Sequence, residues 1–306
     1  GGDGGWDYVA LDTAGHRLFI ARQNRIMVVD PATGKLLAEI PGINGAHGVA
    51  FAYAAGHGFA TSGHDSSVVM FDLKTLQVLG RTHAAEDADA IAYDAATNHV
   101  FTFNGDAGSS SVIDVVTGKT IGSVTLPGKP EFGVSAGDGK LYVNIEDKAE
   151  VAEFDGATMK VTRAWPIAPC ESPTGLAIDR AHHRLFSGCR NGVMAISDAT
   201  SGKLITTLPI GQGVDACRFD AGSQLAFASN GDGTLTVIHE ESPDKFTVVA
   251  TDTTKRGART MEVDEKSHRV FTVSADFGPA PAPTADRPRP RPSVLPGTFS
   301  LLELDP

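Results

Sequence analysis

Seven short segments of the chain share one pattern, a polar residue followed by a strand-length apolar run. GWDYVALD, GAHGVAFA, DADAIAYD, KPEFGVSA, SPTGLAID, GVDACRFD and GARTMEVD superimpose on Asp7, His47, Asp89, Glu131, Thr174, Asp215 and Arg259. Successive spacings are 40, 42, 42, 43, 41 and 44 residues. After each apolar run comes a turn such as DTAGH, DAATN, DRAHH or DEKSH. A second strand follows (RLFIA, HVFTF, KLYVN, RLFSG, RVFTV), then a third (RIMVVD, SVVMFD, SSVIDV, EVAEFD, LTVIHE). Turns of the type DPATGK, DVVTGK and DATSGK lead to a fourth, as in LLAEI, TIGSVTL and KLITTLPI.

These runs are five to seven residues long, rich in Val, Ile, Phe and Thr, and punctuated by Gly and Asp. No window sustains a helical period. Four strands per unit and seven units of this length predict an all-β chain, a seven-bladed β-propeller with four-stranded blades. The whole of residues 1–306 reads as one domain, with blades near 6–42, 43–86, 87–128, 129–170, 171–211, 212–255 and 256–306. The connections are too short for the helices of a TIM barrel. Only GGDGG precedes Trp6, too little to supply a last strand to the final blade. That blade is expected either to have three strands or to be completed by residues ahead of Gly1, and an open edge there would suit a protein partner. A chain starting at Gly1 without Met points to processing upstream, a removed signal peptide being one candidate.

Composition narrows the function classes. The formal net charge is −11, which repels a phosphate backbone and argues against general nucleic-acid binding. No apolar run approaches a bilayer span, so no transmembrane segment is expected. There is no G-x-S-x-G, H-E-x-x-H, C-x-x-C, phosphate-binding lysine loop or dinucleotide fingerprint.

In a propeller the first strand of each blade lines the axis. The seven polar residues should then form a ring on one face, together with the loops between second and third strands. The D-x-x-T-G-K turns fall on the other face and read as structural, their Asp and Thr bonding local backbone and Gly supplying φ > 0. A purely structural repeat would reuse one residue type, whereas the ring mixes four carboxylates, a His, an Arg and a Thr. The bland reading is a wet channel mouth. The functional one is a pocket for a small polar or anionic ligand, lined by Trp6, Asp7, Asp89, Thr174, Asp215 and Arg259. Arg259 would clamp an anion by a two-pronged bond, held in place by Asp215. His47, between Asp7 and Asp89, should have a raised pKa and act as acid or base with Glu131 as partner. Trp6 either stacks on a ring-shaped ligand or packs in the core. A divalent metal on His47, His64 and Asp89 is a further option.

The last repeat carries a proline-rich insert, GPAPAPTADRPRPRPSVLP, between its second and third strands. It reads as a semi-rigid lid with Arg287, Arg289 and Arg291 over the funnel, or as a loop packed on a neighbouring blade or docking a partner. Cys170 lies just before the first strand of the fifth repeat and Cys189 at the end of its second. Antiparallel pairing of TGLAID with HRLFSG brings them together, so a disulfide is expected, and with it an oxidising compartment such as the periplasm. Cys217 reads as a lone buried thiol.

Two stretches, LFIARQNRIMVVDPATGKLLAEI and LYVNIEDKAEVAEFDGATMKV, resemble the YVTN β-propeller repeats of YncE-like proteins, and the likeness runs over nearly the whole chain. The tyrosine-valine signature is close only in LYVN, residues 141–144. The resemblance implies a secreted or periplasmic propeller with a binding or scaffold role. Related propellers include lactonases and cycloisomerases, which implies as the alternative an enzyme using His47, Glu131 and Arg259 in the same funnel, with or without a metal.

Overall fold

A computed structural model describes residues 4–282 and 292–305. Twenty-five strands and three single-turn 3-10 segments account for the regular structure among them. All the strand pairs are antiparallel, as short hairpin connections require. The strands form one six-stranded sheet, four four-stranded sheets and one three-stranded sheet, each built from consecutive strands. The chain is an all-β β-propeller.

The expectation of seven separate four-stranded blades is corrected to six sheets. The first two repeats run together because two strands are long, Arg17–Val29 and Leu36–Ala52. Gln23 takes φ 48° in the middle of the first, which turns the chain there. Residues 17–20 pair back to Val9–Asp12, while 25–29 pair forward to 36–41. The second long strand continues past Gly42 and Gly45 into 46–52, which pairs with His57–Ser62. A Gln23–Ala46 bridge ties the two repeats into one ladder. The final sheet has three strands, Met261–Asp264, Arg269–Ser274 and Ser300–Leu304, the smaller of the two arrangements expected for it.

Aromatic side chains from the first three strands of the sheets fill the gaps between them. Phe101 meets Phe154 of the next sheet at 5.6 Å, and Phe186 stacks on Phe219 of its neighbour at 5.1 Å. Polar side chains buried among them are bonded across repeats. Asn144 donates to the carbonyls of Thr174 and Gly175 and accepts from Ser187, while Ser229 donates to Ala258 O. Each such bond satisfies a carbonyl that a sheet edge would leave unpaired in a dry place.

The D-x-x-T-G-K turns are structural, as their chemistry predicts. Asp30 Oδ1 accepts from the Thr33 N–H and hydroxyl, both at 2.8 Å, and Gly34 takes φ 65°. Asp72, Asp114, Asp155 and Asp198 repeat the arrangement with Thr75, Thr117, Thr158 and Ser201. These bonds to the ionised carboxylate hold all five acids below the ordinary range.

Cys170 and Cys189 form the expected disulfide, 19 residues apart in sequence. Cys217 is the lone buried thiol, pushed up to about 12 by burial, which removes it as a nucleophile. Replacing both bridged cysteines by Ser should cost about 3 kcal/mol through regained loop entropy. Urea denaturation of the oxidised protein and the double variant measures this, and equal midpoints would show that the bridge contributes nothing.

Candidate functional site

Each ring residue sits where its first strand is irregular. The pairing of first with second strand slips between Ala46 and Val49, Ala88 and Ile91, Pro130 and Gly133, Pro173 and Leu176, and Val214 and Ala216. Those five β-bulges bracket His47, Asp89, Glu131, Thr174 and Asp215. A bulge bends the strand and re-aims one side chain, which is how a residue at a strand mouth comes to point along the axis. Asp7 and Arg259 lie just ahead of their strands, Val9–Asp12 and Met261–Asp264. Backbone bonds link ring positions of neighbouring repeats: Tyr8 N–H to His47 O at 3.2 Å and Ala216 N–H to Arg259 O at 3.0 Å. The circle closes where the Thr260 hydroxyl donates to Asp7 O at 2.9 Å, joining last repeat to first.

Tyr8 and Phe132, from the first and fourth repeats, meet edge to face at 5.1 Å, and both are buried. Four ring carboxylates, Asp89, Asp215, Asp7 and Glu131, face the Tyr8 phenol, and burial first and these charges second raise its pKa well above the ordinary value.

The acidic arc runs from Asp7 to Glu131. His47 Nδ1 donates to Asp7 Oδ2 at 2.6 Å and lies 3.3 Å from Asp89 Oδ1. Burial pulls the His47 pKa down, but the Asp7 hydrogen bond and the Asp89 and Asp7 charges outweigh it and raise the value to about 9. His47 is therefore an imidazolium at neutral pH, an acid and a counter-charge rather than a base. Burial and the Asp7 charge raise Asp89, whose Oδ1 has no hydrogen-bond partner among the described residues. Glu131, 9% exposed, is raised to about 7 by burial and then by the Asp215 and Glu146 charges, with Arg190 and Lys129 opposing. Asp7, His47 and Asp89 place three donor atoms within 4.8 Å of one another, a set that suits a divalent cation in exchange for the His47 proton. His64 is not part of that set. It is exposed and lies over the Gly45 backbone, so the expected trio of His47, His64 and Asp89 is corrected by substituting Asp7.

The basic arc is a pair and a cavity. Arg259 Nε lies 3.1 Å from Asp215 Oδ2, the orienting contact expected of them. Beside it opens a cavity of about 470 Å³ lined by Trp6, Arg256, Arg259, Phe277, Pro292 and Val294, with backbone of Gly5, Gly213, Gly231 and Gly257 as floor. Trp6 packs on Phe277 and Phe299 at 6.0 and 5.6 Å and also lines the cavity. Pro292 and Val294 make the end of the proline-rich insert a pocket wall. The arginines expected over the funnel, Arg287, Arg289 and Arg291, lie outside the described residues.

Thr174 is a correction. It is fully buried and its hydroxyl donates to Val214 O at 2.8 Å, so it joins two repeats and offers nothing to a ligand. Sequence reasoning also missed Arg190, whose Nη2 lies 3.3 Å from Glu146 and 3.7 Å from Glu131. Its signal was present as the one cation in the loop GCRNG. Arg256, three residues before a ring position, was missed for want of any periodic mark.

A folded pKa above the unfolded one stabilises the protein below the unfolded pKa and ceases to do so as pH rises through the folded value. In the metal-free protein the His47 contribution should be complete below about pH 6.5 and fade through about pH 9. NMR titration of the imidazole nitrogens checks this directly. A midpoint near 6.5 would remove the ion-paired assignment, and His47→Gln should flatten the stability profile across that window.

No protein-family model matches the chain, and no curated protein matches it. Solved structures do. It is similar to U3-55K (9% identity, 89% of each chain, TM-score 0.79). It is similar also to the WD40 repeats of RRP9 (10% identity, 89% of this chain and 88% of that one, TM-score 0.79) and to a chain of the mitotic checkpoint complex (11% identity, 87% and 83%, TM-score 0.76). At such identities the likeness is one of fold.

Proposed function

We propose that the protein is a YncE-like binding propeller of an oxidising compartment, periplasmic or secreted, that takes a small anionic ligand with a flat apolar body at the ring face. The observation that carries this reading is the cavity in which Arg259 and Arg256 stand beside Trp6 and Phe277 over a floor of glycine backbone. Asp215 lies 3.1 Å from Arg259 Nε, and Arg259 also lines the cavity. No acceptor among the described residues pairs with the Arg256 guanidinium. Two guanidinium groups in a partly dry wall suit a carboxylate or phosphate ester, and the aromatic pair suits its ring. Glycine among the lining residues leaves room for ligand atoms beside the backbone. The disulfide supports the compartment, since such bridges persist outside reducing cytosol. No helix among the described residues is long and apolar enough to cross a membrane.

The alternative, a lactonase- or cycloisomerase-like enzyme, needs His47 or Glu131 as a base. His47 carries its proton at neutral pH, and neither residue lines the cavity. Binding is the better reading.

A thermal-shift screen of aromatic carboxylates and phosphate esters, followed by calorimetry, tests it. Arg259→Met should weaken the best ligand by about 1.5–3 kcal/mol, roughly ten- to a hundred-fold. Unchanged affinity in that variant, or a screen in which uncharged analogues bind as well, would sink the anion-clamp reading.

A further inference from the structure

A second cluster of metal-ligating atoms lies on the rim opposite the ring. Asp179 ends the strand Pro173–Asp179, and His182 sits in the turn that follows. Glu240 comes from the adjacent sheet, in the strand Thr234–Ser242. His182 Nδ1 is 2.6 Å from Asp179 Oδ2 and 2.9 Å from Glu240 Oε1. These separations are those of hydrogen bonds, yet neither contact has hydrogen-bond geometry. Nδ1 and both Glu240 carboxylate oxygens are buried without a partner. The Glu240 side chain is 1% exposed.

The aspartate alone is unremarkable here. Turn acids recur at this position, and each is satisfied within its own surroundings: Asp12 by Arg17 and Gly15, Asp94 by Thr97 and Ser135, Asp220 by Ser223 and His268. Asp179 keeps the local part of that arrangement, accepting from Ala181 N–H at 2.9 Å and His182 N–H at 3.2 Å. What differs is the imidazole and the carboxylate added beside it. The nearby cation does not neutralise them. Arg184 spends Nε on Pro243 O and its two Nη groups on His182 O, Asp198 and Asp244. A buried carboxylate with no well-aligned hydrogen-bond donor is costly, and three ligating atoms within 4.8 Å of one another mark the place of a shared cation.

We propose that Asp179, His182 and Glu240 form a second divalent transition-metal site, one that staples the fifth and sixth repeats on the face away from the ligand cavity. One imidazole nitrogen and two carboxylates favour Zn²⁺ and its first-row neighbours over Ca²⁺, which seeks oxygen ligands alone. Around a tetrahedral ion at 2.0–2.2 Å the donors stand about 3.3 Å apart, so binding needs only a slight opening of the cluster. Water completes the shell from the side on which His182 is exposed. The site is independent of the proposed function of the ring.

The test uses the full chain, stripped of metal and titrated with Zn²⁺ or Ca²⁺. His47→Gln, present throughout, removes the competing ring set. Zn²⁺ should raise the melting temperature and give an anomalous-scattering peak between the three side chains in crystals, while Ca²⁺ at equal concentration should do neither. Glu240→Gln, nearly isosteric and relieved of its charge, and His182→Asn, in a partly exposed turn, should each fold and bind Zn²⁺ at least ten-fold more weakly. A melting shift unchanged in both variants, a peak elsewhere, or an equal response to Ca²⁺ would overturn the proposal.

Discussion

Aiming residues some forty positions apart at one axis forces like charges together in a partly buried well. Asp7, Asp89, Glu131 and Asp215 all act on the Tyr8 phenol below them, which places the four around a single well. Unscreened, they would oppose closure of the circle. The well is neutralised locally and by different means around its rim. Asp7 takes the His47 hydrogen bond with Asp89 3.3 Å from the same nitrogen, Asp215 holds Arg259, and Glu131 is raised toward neutrality with Arg190 and Lys129 at its back. The mixture of residue types in the ring follows from this constraint, because a repeat that reused one acid at every position could not close.

The propeller was legible because its signal is repeated. Apolar runs, Asp-Gly turns and a period of about 42 residues recur with little drift. Asp30, Asp72, Asp114, Asp155 and Asp198 behave as their turn sequence predicts since their partners are three residues away. The Cys170–Cys189 bridge was legible because strand pairing alone fixes it. The merger of the first two repeats was not, since it turns on one unusual backbone angle at Gln23. Nor were the bulges at the ring. They set the direction of His47, Asp89 and Glu131, yet a slipped register leaves no mark in composition. Thr174 occupied a ring position in sequence and an interior one in space because its hydroxyl found the Val214 carbonyl first. The contact of Tyr8 with Phe132 depends on which repeats face one another across the circle, and that of His182 with Glu240 on how neighbouring repeats meet at the rim.

The two rims divide the work differently than the repeat suggests. Turns on the far rim are nearly uniform, and uniformity there reads as scaffold. The exception lies where His182 and Glu240 depart from it, and departure from the repeat is the more informative quantity on either face. On the ring face almost every position departs, so the geometry must decide which departures matter.

That decision rests on where the charges look. His47 has the residue type of a catalytic base, but its Nδ1 points into Asp7 and its proton is held by two carboxylates. Deprotonating it would expose their mutual repulsion, so the group resists the change a general base must make in every cycle. Among the described residues Arg259 pairs with Asp215, and it borders the cavity. A guanidinium fixed on one side and facing an aromatic-walled cavity on the other has its orientation settled before a ligand arrives, which lowers the entropy lost on binding. Under the proposed binding reading, the Arg259 arc recognises the ligand and the acidic arc carries locked charge.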